Sequence, residues 1–328
     1  MRFPRLAAHV RTWRPYTLWY PGLVGLAGHT LADGQDTLAR MLAAWFVPTL
    51  FWIAAHYVGD YLDRDLDAIS KPHRPIPSGR LRPETALVCG AVLAAAACVI
   101  AVSVNYLTVG LLAAAIAAAI SYNAVLKARG LWGNGVRGAV TGAGFVCGAM
   151  MAVPVPPAAL LPFVLVFVAH DTASNLVGTL RDISGDREGG YATFAVSHGP
   201  RTAAWTAGAL YGLAVATAAV AGILTVPGGR TAYLVLVAVA TALGFRAFGM
   251  LFAGEVTARI ALRAHEVLVI ERLVLAGALS VPGLGLPAVL GLLAPILVLT
   301  IATQRAMRSR YEFPERPPQP VNRTEDST

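Results

Sequence analysis

Apolar stretches of about 18 or more residues without a charge recur along this chain, and a helix of that length crosses the roughly 30 Å hydrocarbon core of a bilayer. Strand-length alternation is scarce, so the spanning elements are helices, which satisfy their own backbone in lipid. The runs predict helices over 15–32, 38–60, 83–104, 106–126, 135–153, 157–180, 202–225 and 231–252, followed by an ambiguous region from 255 to 305. Within that region 283–304 is apolar enough to span, while Glu255, Arg259, Arg263 and Glu266 form a charged stripe. The segment 255–280 therefore lies at the interface or crosses with its stripe turned inward. Only 13% of the 328 residues are charged, about half of what a soluble domain carries. The expected fold class is an all-α, polytopic transmembrane bundle of about nine helices, or ten, with aspartate-rich loops capping a central cavity. One domain covers 1–310, and the polar, Pro-rich tail 311–328 reads as disordered.

Charge assigns sides to the loops. Arg64, Lys71, Arg74, Arg80 and Arg82 share one loop, Lys127, Arg129 and Arg137 the next but one, and Arg181, Arg187 and Arg201 the one two further on, whereas intervening connections carry only Arg40 or Arg230. The positive-inside rule places the N-terminus and these loops in the cytoplasm, and Arg305, Arg308 and Arg310 would join them if there are ten crossings. A net charge of +8 distributed in this way meets the headgroups of membrane lipids and argues against nucleic acid as a partner. Arg2, Arg5, Arg11 and Arg14 precede the first run without a cleavage site, which reads as an uncleaved first helix. Cys89, Cys98 and Cys147 fall inside apolar runs as packing residues. Gly138, Gly142, Gly144 and Gly148 suit close helix packing more than a tunnel wall. Heavy Ala and Arg usage with two lysines against 24 arginines suggests a GC-rich bacterial genome, and so a bacterial cell membrane.

Two acidic constellations carry the chemistry. His56, Asp60, Asp63 and Asp67 are spaced +4, +3, +4 and would share one face of a helix extended out of the second run, with Asp65 pointing away. Asp171, Asn175, Gly178, Asp182 and Asp186 form a second stripe climbing out of the sixth. Clustered carboxylates need cations, and hard oxygen ligands suit Mg²⁺ held jointly with substrate phosphates. For the first segment alone, a solvated helix end paired with Arg64, Lys71 or Arg74 remains an alternative. Both lysines, Lys71 and Lys127, lie beside the motifs, where a compact ammonium could meet phosphate, and Tyr122 and Lys127 could reach a diphosphate together. Asp171 could accept a proton from an acceptor, as could Glu266 or Glu271. Asp63-x-x-x-Asp67 and Asp182-x-x-x-Asp186 lie 119 residues apart, hinting at a duplicated four-helix unit.

The stretches DYLDRDLDAISKPHRPIPSG (60–79), YNAVLKARGLWGN (122–134) and LRDISGDREGGYATFAVSHG (180–199) resemble the UbiA superfamily of intramembrane prenyltransferases. The resemblance implies Mg²⁺ bound by Asp63, Asp67, Asp182 and Asp186 with support from Asp60. It also implies that Tyr122, Lys127 and Arg74 contact the diphosphate, with Lys71 beside them. The family usually has Asn before the first Asp of the motif, where this chain has Gly59, and His56 or Asn175 is a candidate to compensate. The implied activity is Mg²⁺-dependent transfer from a prenyl diphosphate to a small hydrophobic or aromatic acceptor. A membrane terpene cyclase acting on the diphosphate alone and an ion-coupled transporter are the competing readings.

Overall fold

A computed structural model of the chain describes residues 4–226 and 228–312. Among these, fourteen helices follow one another: α1 (Pro4–Trp13), α2 (Trp19–Leu31), α3 (Leu38–Leu62), α4 (Arg64–Ser70), α5 (Pro83–Val104), α6 (Thr108–Ala124), α7 (Gly130–Ala152), α8 (Leu161–Leu180), α9 (Ile183–Glu188), α10 (Phe194–His198), α11 (Pro200–Thr225), α12 (Arg230–Phe252), α13 (Ala258–Leu284) and α14 (Leu286–Glu312). Of the tail expected from 311, Tyr311 and Glu312 end α14 and the rest lies outside the described residues, as does Arg2.

Helices α3, α5, α7, α8, α11, α12, α13 and α14 are long and apolar enough to cross a membrane, and the shorter α2 and α6 complete a bundle of ten. The expected full-length span over 15–32 is corrected. Arg14 adopts a left-handed conformation (φ 51°), a 3₁₀ turn covers Pro15–Thr17, and α2 then runs for 13 residues, about 20 Å. Such a helix is too short to face lipid across the whole core. It does not have to, because every residue from Tyr20 to His29 is buried by neighbouring helices.

Close backbone contact explains why α2 sits at the centre. A Cβ at Gly25 would lie 2.0 Å from the Ala44 carbonyl oxygen on α3, and one at Gly148 of α7 would lie 1.9 Å from that of Gly25. On the other face of α7, a Cβ at Gly138 would lie 2.3 Å from the Val168 oxygen on α8. In lipid, where helices gain little hydrophobic energy by associating, such contacts supply the packing. The glycines of α7 therefore pack two neighbours against it.

Of the charged stripe expected on 255–280, Glu255, Arg259 and Arg263 stay exposed and only Glu266 is half-buried. α13 crosses as the most buried of the eight long spans, with Arg259 and Arg263 exposed near its start and Glu271 and Arg272 buried instead. A charge at a helix centre costs about 2.5–3.5 kcal/mol on insertion scales, so each needs partners. Glu271 lies 2.5 Å from His170 Nε2 and accepts from the Tyr211 hydroxyl at 3.2 Å. Arg272 lies 3.9 Å from Asp171 and stacks on Tyr20, 4.5 Å from the ring centre.

Parity follows from contacts at the two termini. His9 and Trp13 of α1 bond to the Tyr57 hydroxyl near the end of α3, and Arg308 near the end of α14 lies over Tyr16. The first and last helices thus end on one side of the bundle, as ten crossings require. Gly148→Ala is expected to destabilise the bundle by about 1–3 kcal/mol, seen as a lower unfolding midpoint in detergent. Gly110→Ala, whose methyl would meet nothing within 4 Å, should not lower it.

Candidate active site

The two aspartate motifs occupy matching joints. α3 stops at Leu62 before α4, and α8 stops at Leu180 before α9, with Asp63 and Asp182 in the breaks. One turn on, the N–H groups of Asp67 and Asp186 donate to the carbonyls of Asp63 and Asp182, each at 2.8 Å. The continuous helix expected through Asp67 is therefore corrected. The backbone at Asp63 (φ −84°, ψ 0°) stays close enough to helical that the facing survives: Asp67 is buried, while the Asp65 side chain is 87% exposed.

Small residues bring the joints together. A Cβ at Gly189 would lie 2.3 Å from Leu66 Cδ1 and one at Gly185 3.2 Å from Ser70 Cβ, so α9 rests directly on α4. Gly190, with φ +75°, then turns the chain, a conformation that costs glycine little. Parallel bridges pair Arg129 with Ala192 and Gly130 with Thr193. The loops after α3, α6 and α8 consequently meet at one place.

Ion pairs cross between these loops. Lys71 Nζ donates to Asp182 at 2.9 Å and Lys127 Nζ donates to Asp63, while within the first joint Arg74 donates to Asp67 at 2.6 Å. Arg14 donates to Asp60 at 2.7 Å, and Arg74 stands 3.8 Å from the same carboxylate. Burial works against the Asp182 charge, yet Arg181 and Lys71 outweigh it and hold its carboxyl well below the usual range. Asp186 has no ion pair among the described residues: burial, and then the neighbouring Asp182, push it up to about 6, against the pull of Lys127 and Lys71 and a hydroxyl bond from Thr193 at 3.3 Å. Burial likewise depresses Lys71, whereas at Lys127 the Asp63 carboxylate overcomes burial and raises the ammonium.

Among the described residues no three His, Cys, Asp or Glu side chains lie close enough to hold a metal ion unaided. The available donors are the carboxylate oxygens of two joints that the Lys71–Asp182 pair and the contact of α9 with α4 hold side by side. That set suits Mg²⁺, which commonly takes one or two carboxylates and completes its shell with water and substrate phosphates.

The sequence-derived residues divide into two groups. Asp60, Asp63, Asp67, Lys71, Arg74, Lys127, Asp182 and Asp186 assemble here, and half-buried Tyr122 lies close enough to influence Lys127. Asp171 belongs elsewhere, deeper in the bundle, where Thr141 donates to it at 2.8 Å and Arg137 stands at 3.7 Å. Asn175 accepts from Asn134 at 2.8 Å, and His56 contacts Thr17 at 3.4 Å beside Trp52. Neither is bonded to the four aspartates among the described contacts. Three residues were missed. Arg14 is separated from Asp60 by a whole hairpin of helices, so no local spacing signals it. Tyr191, whose ring lies 5.9 Å from Lys127 Nζ, and Thr193 sat unremarked in the glycine-rich turn after Asp186.

Known proteins share this architecture. The UbiA prenyltransferase family model matches residues 18–265, well over half of the chain. Digeranylgeranylglyceryl phosphate synthase of Natronomonas pharaonis is 30% identical over 211 residues, 64% of this chain and 76% of the relative. The apo structure of a UbiA homolog from Aeropyrum pernix K1 superposes with a TM-score of 0.69 at 18% identity, covering 80% of this chain and 96% of that one. A UbiA homolog from Archaeoglobus fulgidus bound to DMAPP and Mg²⁺ gives 0.65 at 14% identity, covering 91% and 99%. These relatives come from archaea, in contrast to the bacterial source expected from composition. The chain belongs to the UbiA prenyltransferase family and is an integral membrane prenyltransferase.

Proposed function

We propose that this enzyme, with residues 1–310 as one domain, transfers a prenyl group from a prenyl diphosphate to the hydroxyl of a small amphiphilic acceptor, using Mg²⁺ held between the two aspartate joints on the cytoplasmic side. The observation that carries the reading is the bond from Lys71, at the end of the first joint, to Asp182 in the second. Asp63, Asp67, Asp182 and Asp186 are the residues that would hold the ion, with Asp60 behind them. Mg²⁺, when bound, supplies neutralisation of the leaving diphosphate. The substrates named for the relatives support the donor, and a synthase of a glyceryl phosphate favours an alcohol over the aromatic acceptor expected from sequence.

Lys127, Lys71 and Arg74 each rest on a carboxylate and need only a side-chain rotation to meet a phosphate between the joints. There they would stabilise charge as the allylic C–O bond breaks. The apolar bundle keeps water from the cationic carbon until the acceptor oxygen bonds to it and passes its proton to the departing diphosphate. Asp171 is already engaged by Thr141, Arg137 and Arg272, so its proposed role is to brace helices rather than to take that proton.

Incubating purified protein and Mg²⁺ with allylic diphosphates of graded length, with and without alcohol and phenol acceptors, tests the reading by mass spectrometry. Prenylated acceptor should form only when both substrates and Mg²⁺ are present, and a product made from diphosphate alone would replace transfer with cyclisation. Asp63→Ala or Asp182→Ala should lower the rate by at least about 10²-fold while the elution profile stays that of folded protein. Asp65→Ala should stay near wild type, and a comparable loss there would contradict the facing of the joint. A Cβ at Gly59 would meet only the Asn123 amide oxygen, at 3.9 Å. Gly59→Asn is therefore expected to fold normally with transfer unchanged or faster, and a slower enzyme would mean that the open backbone itself is required.

A further inference from the structure

Tyr191 sits at the seam between the second joint and the loop that carries Lys127. Gly190 turns the chain with φ +75°, and the Tyr191 N–H then donates to the Asp186 carbonyl at 2.8 Å. Immediately after it, Ala192 pairs with Arg129 and Thr193 with Gly130, just beyond Lys127 in sequence. The backbone of Tyr191 is therefore tied on one side to the joint and on the other to the lysine loop. Its side chain has only its own rotamers left to explore.

The Lys127 ammonium lies over the Tyr191 ring, 5.9 Å from its centre, at the outer limit of a cation–π contact. The phenol is close enough to Asp63, Asp67 and Asp186 to feel their charge, so it lies within electrostatic reach of carboxylates from both joints. Burial, joined by those carboxylates and opposed by Lys127, pushes the phenol above its ordinary value, and at neutral pH it keeps its proton and is a donor. The side chain is half-buried, and its hydroxyl donates to no group among the described residues. The cations of the joints differ in this respect, because Lys71, Lys127 and Arg74 each rest on an aspartate. A phosphate entering between the joints has to draw those cations from their carboxylates, whereas the Tyr191 hydroxyl has no partner to give up. A half-buried tyrosine in a turn is commonly packing alone, and in that case only its ring would matter.

We propose that Tyr191 binds the diphosphate of the donor: its hydroxyl donates to a phosphate oxygen between the joints, and its ring holds the Lys127 ammonium beside that oxygen once Asp63 releases it. The assignment rests on the transfer reaction proposed above and adds a residue to its donor site. No proton changes hands in this contact. When the allylic C–O bond breaks, its electron pair leaves with the diphosphate, whose oxygens gain charge, and the hydrogen bond strengthens with them. Tyr191 thereby favours the departing group over the intact ester, so it acts on turnover as well as on binding.

The full-length protein in lipid nanodiscs is titrated by calorimetry, with Mg²⁺ present, using geranyl S-thiolodiphosphate, an analogue whose bridging sulfur resists ionisation. Transfer from geranyl diphosphate to an alcohol acceptor and the unfolding midpoint are read on the same samples. Tyr191→Phe should weaken binding of the analogue at least about fivefold and lower kcat, with the midpoint unchanged. Tyr191→His, which restores a ring N–H, should recover part of the affinity. Tyr191→Leu should bind more weakly than Tyr191→Phe, and in a Lys127→Met background that difference should vanish. An analogue affinity unmoved in Tyr191→Phe overturns the hydroxyl contact, and equal affinities of Tyr191→Leu and Tyr191→Phe overturn the role of the ring. A loss that follows a lowered midpoint in Tyr191→Phe and Tyr191→His alike reduces the residue to packing and overturns both. Tyr191-dependent binding in a protein that never prenylates an acceptor would uphold the contact and sink the transfer.

Discussion

Asp60, Asp63 and Asp182 are each matched by a cation from another stretch of chain, and that matching holds the site together. Lys127 on Asp63 joins the loops after α6 and α3, Lys71 on Asp182 joins those after α3 and α8, and Arg14 on Asp60 ties the N-terminal arm to α3. Fully solvated pairs would contribute little. Here the aspartate side chains are between 7% and 25% exposed, and removing one member of a buried pair leaves an uncompensated charge that commonly costs about 3–5 kcal/mol. The loops are thus fixed to one another by interactions that a polyanionic ligand could take over, because its phosphates offer the same cations a competing partner.

A second ionic layer lies below the first and gives it a frame. Asp171 precedes Asp182 by eleven residues, about 16 Å along a helix. Around it α7 contributes Arg137 and Thr141, and α13 contributes Arg272. Arg137 also stacks on Trp52 of α3, 4.5 Å from the ring centre, so four helices meet there. His170, Tyr211 and Glu271 make a neighbouring knot between α8, α11 and α13. Polar residues at this depth would be a liability in lipid. Held against each other by opposite charge, although Arg137 Nε and Arg272 Nε and Nη2 find no hydrogen-bond partner among the described residues, they instead fix how α8 and α7 present Asp182 and Lys127 beside their ends.

Much of this was legible because a bilayer leaves few options. Uncharged runs of spanning length predicted most of the helices, and the +4 and +3 spacings predicted that Asp63 and Asp67 face together while Asp65 does not. Hydropathy could not reveal that α2 is short, since what shortens it is Arg14 in a left-handed turn and what permits it is contact at Gly25. The stripe on α13 misled for a related reason. Arg259 and Arg263 lie near the end of the helix, where long side chains reach the polar interface, whereas Glu271 and Arg272 need partners that are distant in sequence. Arg308 carried no local signal, because its relation to Tyr16 exists only once the last helix has returned to the side of the first.

The glycine at 59 shows how a departure from a motif can be absorbed by its surroundings. Asparagine there would project an amide from α3 toward α6. In its absence the nearest atom along that direction is Oδ1 of Asn123, near the end of α6, whose Nδ2 donates to the Ala119 carbonyl at 2.9 Å. That bond orients the Asn123 amide with its oxygen toward the space that an asparagine at 59 would fill. Asn123 is followed four residues later by Lys127, the partner of Asp63, so the segment that presents this amide also neutralises the first aspartate of the joint. A polar oxygen therefore still stands beside position 59, delivered by the neighbouring helix rather than by a side chain of the motif itself.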